Sequence, residues 1–272
     1  MLGAIIGDIV GSIYEFDNIK TKDFEFFHED CDFTDDSVMT VAVAEALLAC
    51  GKDDYEDETR EKLVTSMKKW GRKYPYAGYG GRFAGWLKFN DTEPYNSYGN
   101  GSAMRVSASG WLYNDMFTTR YMARLTAAVT HNHIEGIRGA EATAAAIFLA
   151  RNGASKDEIK DYIEKEFCYD LNFTCDEIRD TYYFNETCQN TVPQAIVSFM
   201  DGESFEDVIR TGVSIGGDTD TLCAIAGSIA EAYYGIPEKL RETVNVFLEE
   251  DLLKVVNRFY QVIEEEKGVR IL

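Results

Sequence analysis

The chain has 272 residues, with 27 Lys+Arg against 47 Asp+Glu and a formal net charge of −20. That balance excludes broad binding to nucleic acid or to an anionic membrane surface, since both need clustered cations to displace counterions. With 45% hydrophobic and 13% aromatic residues the chain can bury a substantial core, which excludes intrinsic disorder.

Leu2-Gly3-Ala4-Ile5-Ile6-Gly7-Asp8 follows Met1 directly. It has no basic start, too short an apolar run and an early acid for a signal peptide. No later stretch reaches the roughly 18 uninterrupted apolar residues of a membrane span. Cys31, Cys50, Cys168, Cys175, Cys188 and Cys223 include no C-x-x-C pair and read as thiols of a reducing compartment. The expectation is a soluble, cytoplasmic protein that makes no membrane contact. Gly3, Gly7 and Gly11 recur every four residues and suit close helix packing. They do not form G-x-G-x-x-G and no strand precedes them, so a dinucleotide fold is disfavoured. Glu15 then stands either as a solvated helix end or as an acid able to reach a metal.

Thr34-Asp35-Asp36-Ser37 opens a run, from Asp36 to Cys50, that is apolar almost all round, as in a central buried helix. Capping of the free N–H groups explains one acid there. Two adjacent carboxylates repel, and a divalent cation relieves the repulsion. The acidic run from Asp53 to Glu61 reads as a solvated helix start. Between about Lys73 and Asn100, Tyr74, Tyr76, Tyr79, Phe83, Trp86, Tyr95 and Tyr98 interleave with glycines, as in a segment that stacks on a flat ring or in an aromatic surface loop.

Ser97-Tyr98-Gly99-Asn100-Gly101-Ser102-Ala103-Met104-Arg105 combines turn glycines with donors and can cradle phosphates through backbone N–H groups. His131 and His133 precede a helix expected from Ile134 to Arg151 and ended by Asn152-Gly153. With three histidines in the chain, a His-rich metal site is excluded. Thr191 and Pro193 sit where an N-cap and a first-turn proline open a helix through Met200. Gly216-Gly217-Asp218-Thr219-Asp220-Thr221 is a second acid cluster. It precedes a helix through Tyr233 that Gly235 and Pro237 stop. One or two last helices cover Glu238 to about Glu265.

The two Thr/Asp clusters open two helices that both look central, so their N-termini are expected to converge on one pocket. Hard oxygen ligands of this kind suit Mg²⁺ or Mn²⁺ and not zinc. Four prolines, no linker and no repeat make residues 1–272 one compact all-α domain.

The ordered set Gly3-Ala4-Ile5-Ile6-Gly7-Asp8 through Glu15, Thr34 to Ser37, Ser97 to Arg105, Thr130-His131 and Gly216 to Thr221 resembles the ADP-ribosylglycohydrolase family over nearly the whole chain. The resemblance implies a single-domain orthogonal helical bundle with a binuclear Mg²⁺ or Mn²⁺ site in a central cleft for ADP-ribose. It makes Thr34, Asp35, Asp36, Asp218, Asp220 and Thr221 metal ligands, and it puts Glu15 over the metals. Ser97, Tyr98, Gly99, Asn100, Gly101 and Ser102 would hold the diphosphate and ribose, His131 the distal ribose region, and Gly80 and Gly81 a second phosphate-side loop. Glu15, Asp35 and Asp36 stand as alternative candidates for proton transfer. The implied reaction is release of ADP-ribose from a modified protein side chain, such as arginine or serine, or from a small conjugate. A non-catalytic ADP-ribose-binding or crystallin-like member and a two-metal phosphohydrolase are the competing readings. Paired acids at both helix starts favour the enzyme.

Overall fold

The computed structural model describes residues 1–51, 55–89 and 92–267. Among them are fifteen helices: α1 Leu2–Ser12, α2 Asp35–Leu48, α3 Glu56–Lys73, α4 Gly81–Lys88, α5 Gly101–Met104, α6 Ser107–Leu112, α7 Met116–Ala128, α8 Ile134–Arg151, α9 Lys156–Phe167, α10 Cys175–Ile178, α11 Cys188–Asp201, α12 Phe205–Ile215, α13 Thr219–Tyr234, α14 Glu238–Val244 and α15 Glu250–Lys267. Pairing of β type is confined, among the described residues, to one isolated antiparallel bridge between Gly99 and Thr187. The fold is all-α. Asp53, which heads the acidic run, lies outside the described residues. Helix α3 opens within that run, with Glu56, Asp57 and Glu58 in its first turn, where negative charge meets the positive helix end.

Helix α8 keeps its expected bounds because both ends are marked locally. His133 caps its start through Nδ1, which accepts from the Glu135 N–H at 3.1 Å, and Gly153 follows its end at φ +85°. Helix α11 starts earlier than expected: Thr187 is its N-cap, and Thr191 and Pro193 lie inside it. Pro193 forfeits one helical hydrogen bond, which costs least near a helix start. Thr191, released from capping, bridges two other segments. Its hydroxyl donates to the Asn185 carbonyl (2.9 Å) and accepts from Asn100 Nδ2 (3.2 Å). The C-terminal region forms the pair α14 and α15.

Helix α1 lies directly on α13, and glycine makes this possible. A Cβ at Gly7 would stand 2.0 Å from the Cys223 carbonyl oxygen, and Gly3 and Gly11 meet the Gly227 and Thr219 carbonyls nearly as closely. Backbone contact along this seam fixes the start of α13 beside the end of α1. Helix α2 is buried from Asp36 through Ala44 and runs through the core beside α1. The two acid-bearing helix starts are therefore set by the same partner helix. No helix among the described residues is long and apolar enough to cross a membrane.

Candidate active site

The start of α2 is organised from α1. Asp8 is fully buried, and its Oδ2 accepts from the backbone N–H groups of Thr34 and Ser37, both at 3.0 Å, and from the Ser37 hydroxyl. Its Oδ1 accepts from the Thr34 hydroxyl at 2.7 Å. Asp8 thus satisfies N–H groups that a new helix leaves free, from a different helix. The backbone N–H of Asp35 donates to the Ala77 carbonyl at 2.7 Å, which ties the α2 start to the loop before α4.

The start of α13 is shaped by Gly216 and Gly217, at φ +71° and +85°. A Cβ on Gly217 would stand 2.4 Å from the Tyr182 ring, so position 217 needs glycine both for backbone and for space. Asn18 clamps this turn, accepting from the Gly217 N–H (2.7 Å) and donating to its carbonyl (3.0 Å), while Nδ2 also reaches the carbonyls of Tyr14 (2.5 Å) and Glu15 (3.1 Å). The segment carrying Glu15 is held to the α13 start by this one side chain.

The two helix starts meet. The Thr221 hydroxyl donates to Asp36 Oδ2 at 3.2 Å, and Thr34 Oγ1 lies 3.4 Å from Asp220 Oδ2. Carboxylate oxygens of Asp8, Asp36 and Asp220 lie within 4.8 Å of one another, and so do those of Glu15, Asp218 and Asp220. Asp220 belongs to both groups. Asp36 Oδ1 is buried without a hydrogen-bond partner. An orphaned carboxylate oxygen beside all-oxygen groups that share Asp220 is the donor set of hard divalent cations, so the residues fit such ions.

Burial and mutual repulsion hold these acids protonated above the ordinary carboxylate range. Burial pushes Asp8 and Asp218 up to about 6 against the hydrogen bonds that favour their charged forms. Burial, then repulsion from Asp220, Asp8 and Glu186, raises Glu15 to about 8. Asp35, Asp36 and Asp220 are raised strongly, by burial first and then by neighbouring carboxylates, Asp220 and Asp8 acting on Asp35 and Asp36, and Asp218 and Asp8 on Asp220.

Above the acids opens a cleft of about 240 Å³. Of the residues expected at the site, Glu15, Asp35, Asp36, Gly80, Gly81, Ser97, Gly99, Asn100, Gly101, His131, Asp218, Asp220 and Thr221 line it. Thr34 packs beneath, against Asp8. Tyr98 turns its ring onto His133, at 5.3 Å between centroids, and Ser102 is fully buried with its hydroxyl donating to the Gly136 carbonyl at 2.7 Å. Asn100 Nδ2 donates to Asp218 Oδ2 at 2.7 Å and joins the turn to the acids. A larger groove of about 560 Å³ between α2 and α3 is lined by Glu45, Glu58, Glu61, Lys62 and Lys69, with Lys69 paired to Glu45 at 2.7 Å, and its acids form no group of metal-ligand spacing among the described residues.

His131 is nearly fully buried, and burial with the cations of Arg105 and Arg82 keeps its ring neutral, well below the ordinary histidine range. Arg105 Nη2 donates to Thr130 Oγ1 (2.8 Å), which lies 2.7 Å from His131 Nδ1. With Thr130 accepting from arginine, its own hydrogen is available to Nδ1, an arrangement that would put the ring proton on Nε2. Nε2 faces the glycine turn, 3.4 Å from where a Gly101 Cβ would stand.

Sequence reasoning missed Asp8, Asn18, Arg82, Arg105, Phe184 and Glu186. Asp8 carried a signal, as a lone charge in a helix otherwise apolar and buried. Phe184 and Glu186 carried none, because their segment is placed by distant bonds: Asn100 N–H to the Glu186 carbonyl (2.8 Å) and Cys188 N–H to the Tyr98 carbonyl (3.0 Å).

The ADP-ribosylglycohydrolase family model matches residues 1–268. ADP-ribosylhydrolase ARH3 of Homo sapiens is 26% identical over 344 residues, covering 96% of this chain and 92% of that protein. The Bos taurus ARH3 is 28% identical with the same coverage. ADP-ribosylarginine hydrolase Tri1 of Pseudomonas putida (strain GB-1) is 24% identical over 263 residues, covering 87% and 70%. A solved structure titled ADP-ribosylglycohydrolase-related protein complex superposes with a TM-score of 0.65 at 23% identity, covering 96% of this chain and 95% of that one, and shares the fold.

Proposed function

We infer, for a chain that belongs to the ADP-ribosylglycohydrolase family and is by that membership an ADP-ribose-releasing glycosyl hydrolase, that turnover depends on two divalent cations, Mg²⁺ or Mn²⁺. The observation that carries this reading is Asp220, shared by two groups of carboxylates at the joined starts of α2 and α13. Asp8, Asp36 and Asp220 are assigned to one cation and Glu15, Asp218 and Asp220 to the other, with Thr34, Asp35 and Thr221 completing the shells. Cations held there would supply Lewis-acid alignment of the ribose hydroxyls and a water.

The protein's own groups do the rest. The free N–H groups at the start of α4, the Ser97–Gly101 turn, Arg82 and the His131 Nε2–H bind the diphosphate and distal ribose, a local positive field inside an acidic chain. The bond to the anomeric carbon then lies over the acids, where oxocarbenium character develops during cleavage. Glu15, Asp35 and Asp36 are the groups that move the proton. Burial first and the neighbouring acids second raise Glu15 to about 8, and cations bound beside it would favour its charged form. The acceptor is an ADP-ribosylated protein side chain, such as arginine or serine, or a small conjugate. The whole of 1–272 acts as one domain, and six cysteines that form no disulfide suit the cytoplasm.

The test is incubation with ADP-ribosyl-arginine and with an ADP-ribosyl-serine peptide in Mg²⁺, Mn²⁺ or EDTA, with products identified by mass spectrometry. Intact ADP-ribose released only with metal is the expected product, and Asp220→Asn is expected to lower release at least about a hundredfold. AMP with ribose phosphate would mean attack at phosphorus. ADP-ribose binding with no release would make the chain a binding module.

A further inference from the structure

Phe16 and Phe184 come from distant parts of the chain and stack on each other at the cleft, with ring centroids 5.9 Å apart and 27° between planes. Phe16 is 84% exposed. Single exposed phenyl rings are ordinary, but this pair adjoins the acids: Phe16 follows Glu15 in sequence, and Phe184 lines the cleft together with Glu15 and Glu186. Glu186 is exposed at the mouth and close enough to repel the Glu15 carboxylate. The other exposed aromatic stack, Phe117 on Tyr121, follows from their spacing along α7 and lies away from the cleft lining.

We propose that the Phe16–Phe184 stack and Glu186 form the acceptor subsite, and that the acceptor it takes is a planar cation, the guanidinium of an arginyl linkage. This rests on the glycohydrolase reading. The bond to be cut lies where Glu15 reaches, so the departing group lies against Glu15's neighbours. Aromatic faces attract a flat cation through the ring quadrupole, and guanidinium stacks on them better than ammonium does. Glu186 adds charge complementarity at the rim. A serine oxygen is neutral and gains nothing from either element.

The test compares wild type, Phe16→Leu, Phe16→Tyr, Phe184→Leu and Glu186→Gln on ADP-ribosyl-arginine and on an ADP-ribosyl-serine peptide, with free ADP-ribose affinity measured by calorimetry. Expected are a wild-type preference for the arginyl conjugate and a loss of about fivefold in its kcat/KM for either leucine variant. Phe16→Tyr keeps the rate, and Glu186→Gln lowers it most at low salt. Affinity for free ADP-ribose, which lacks the acceptor, changes less than about twofold. Equal losses on both conjugates, or a preference for the seryl one, overturn the subsite and leave the glycohydrolase reading standing. A parallel loss of ADP-ribose affinity puts the adenine on the Phe16–Phe184 stack and overturns the subsite too. Release from neither conjugate overturns both readings.

Discussion

The Asp8 carboxylate of α1 accepts from both the backbone N–H and the side-chain hydroxyl of Ser37 in α2. One oxygen, Oδ2, takes these bonds together with the Thr34 N–H, while Oδ1 takes the Thr34 hydroxyl alone, and the carboxylate brings one oxygen within 4.8 Å of oxygens of Asp36 and Asp220. Asp8 in this way joins packing to chemistry. It locks α2 to α1, the glycine seam locks α1 to α13, and the acids of both helix starts are thereby fixed relative to one another.

Asp8→Asn separates these two roles. The amide oxygen can replace Oδ2 toward Thr34 and Ser37, and the amide nitrogen can donate to Thr34 Oγ1, so the fold is expected to persist. What is lost is a negative charge facing the cation site. Mn²⁺ affinity, titrated by calorimetry, is expected to fall about ten- to a hundredfold, with melting of the metal-free protein at neutral pH no lower than wild type. A large drop in metal-free melting temperature would show that the charge itself, and not the hydrogen-bond pattern, holds α2.

The acid cluster also sets a pH dependence. Asp8 and Asp218 at about 6, Glu15 at about 8 and the strongly raised Asp35, Asp36 and Asp220 all bind protons more tightly folded than unfolded. Their contribution to stability is full below the ordinary carboxylate range and is lost as pH rises through the folded values. In EDTA, the melting temperature is expected to fall between about pH 5 and about pH 9. Saturating Mn²⁺ or Mg²⁺ binds the deprotonated form and should flatten or reverse the slope. A slope that ignores the cation would mean that the acids are not its ligands.

The parts legible in the sequence are those whose cause is local. Helix α8 carries its cap at His133 and its stop at Asn152-Gly153, and Thr34 announces the α2 start as an N-cap that accepts from the Asp36 N–H, whereas Asp218 heads α13 without a side-chain cap bond. The same local logic misled at Thr191 and Pro193, where residues that can open a helix sit inside one. Asn100 and Asn185 use the threonine instead, a long-range reason invisible in the string. Likewise a turn's composition does not say which side chains leave it toward the cleft: Asn100 meets Asp218, while Ser102 turns inward to Gly136.

Gly7 tests the seam directly. A Cβ there would overlap the Cys223 carbonyl, a backbone atom that cannot rotate away, so Gly7→Ala must push α1 off α13. The expected cost is about 2 kcal/mol or more. For a chain of this size each kcal/mol lowers the melting temperature by about 2–4 °C. Displacement at the seam also moves Asp8 and Glu15 relative to Asp218 and Asp220, so Mn²⁺ affinity should fall in a variant that carries all its acids. A stable variant with intact affinity would mean that the seam does not set the site.

His131 offers a measurement at a single atom. A relay from Arg105 to Thr130 to Nδ1 would leave Nε2 protonated, and burial beside two arginines keeps the ring neutral through the ordinary histidine range. Imidazole nitrogen chemical shifts of isotope-labelled protein, with His28 and His133 as internal comparison, should give the neutral Nε2–H tautomer for His131 well below the ordinary histidine range. Thr130→Val removes the donor to Nδ1 and frees the ring to take the other tautomer, turning a donor toward the glycine turn into an acceptor. An acceptor there repels phosphate and ribose oxygens, so ADP-ribose affinity should fall about tenfold, while His131→Gln, whose amide nitrogen can stand in for Nε2–H, should lose less. An Nδ1–H tautomer in the wild type would remove this donor from the cleft and leave the α4 start, the glycine turn and Arg82 to hold the anion, and a charged His131 near neutral pH would overturn the neutral ring.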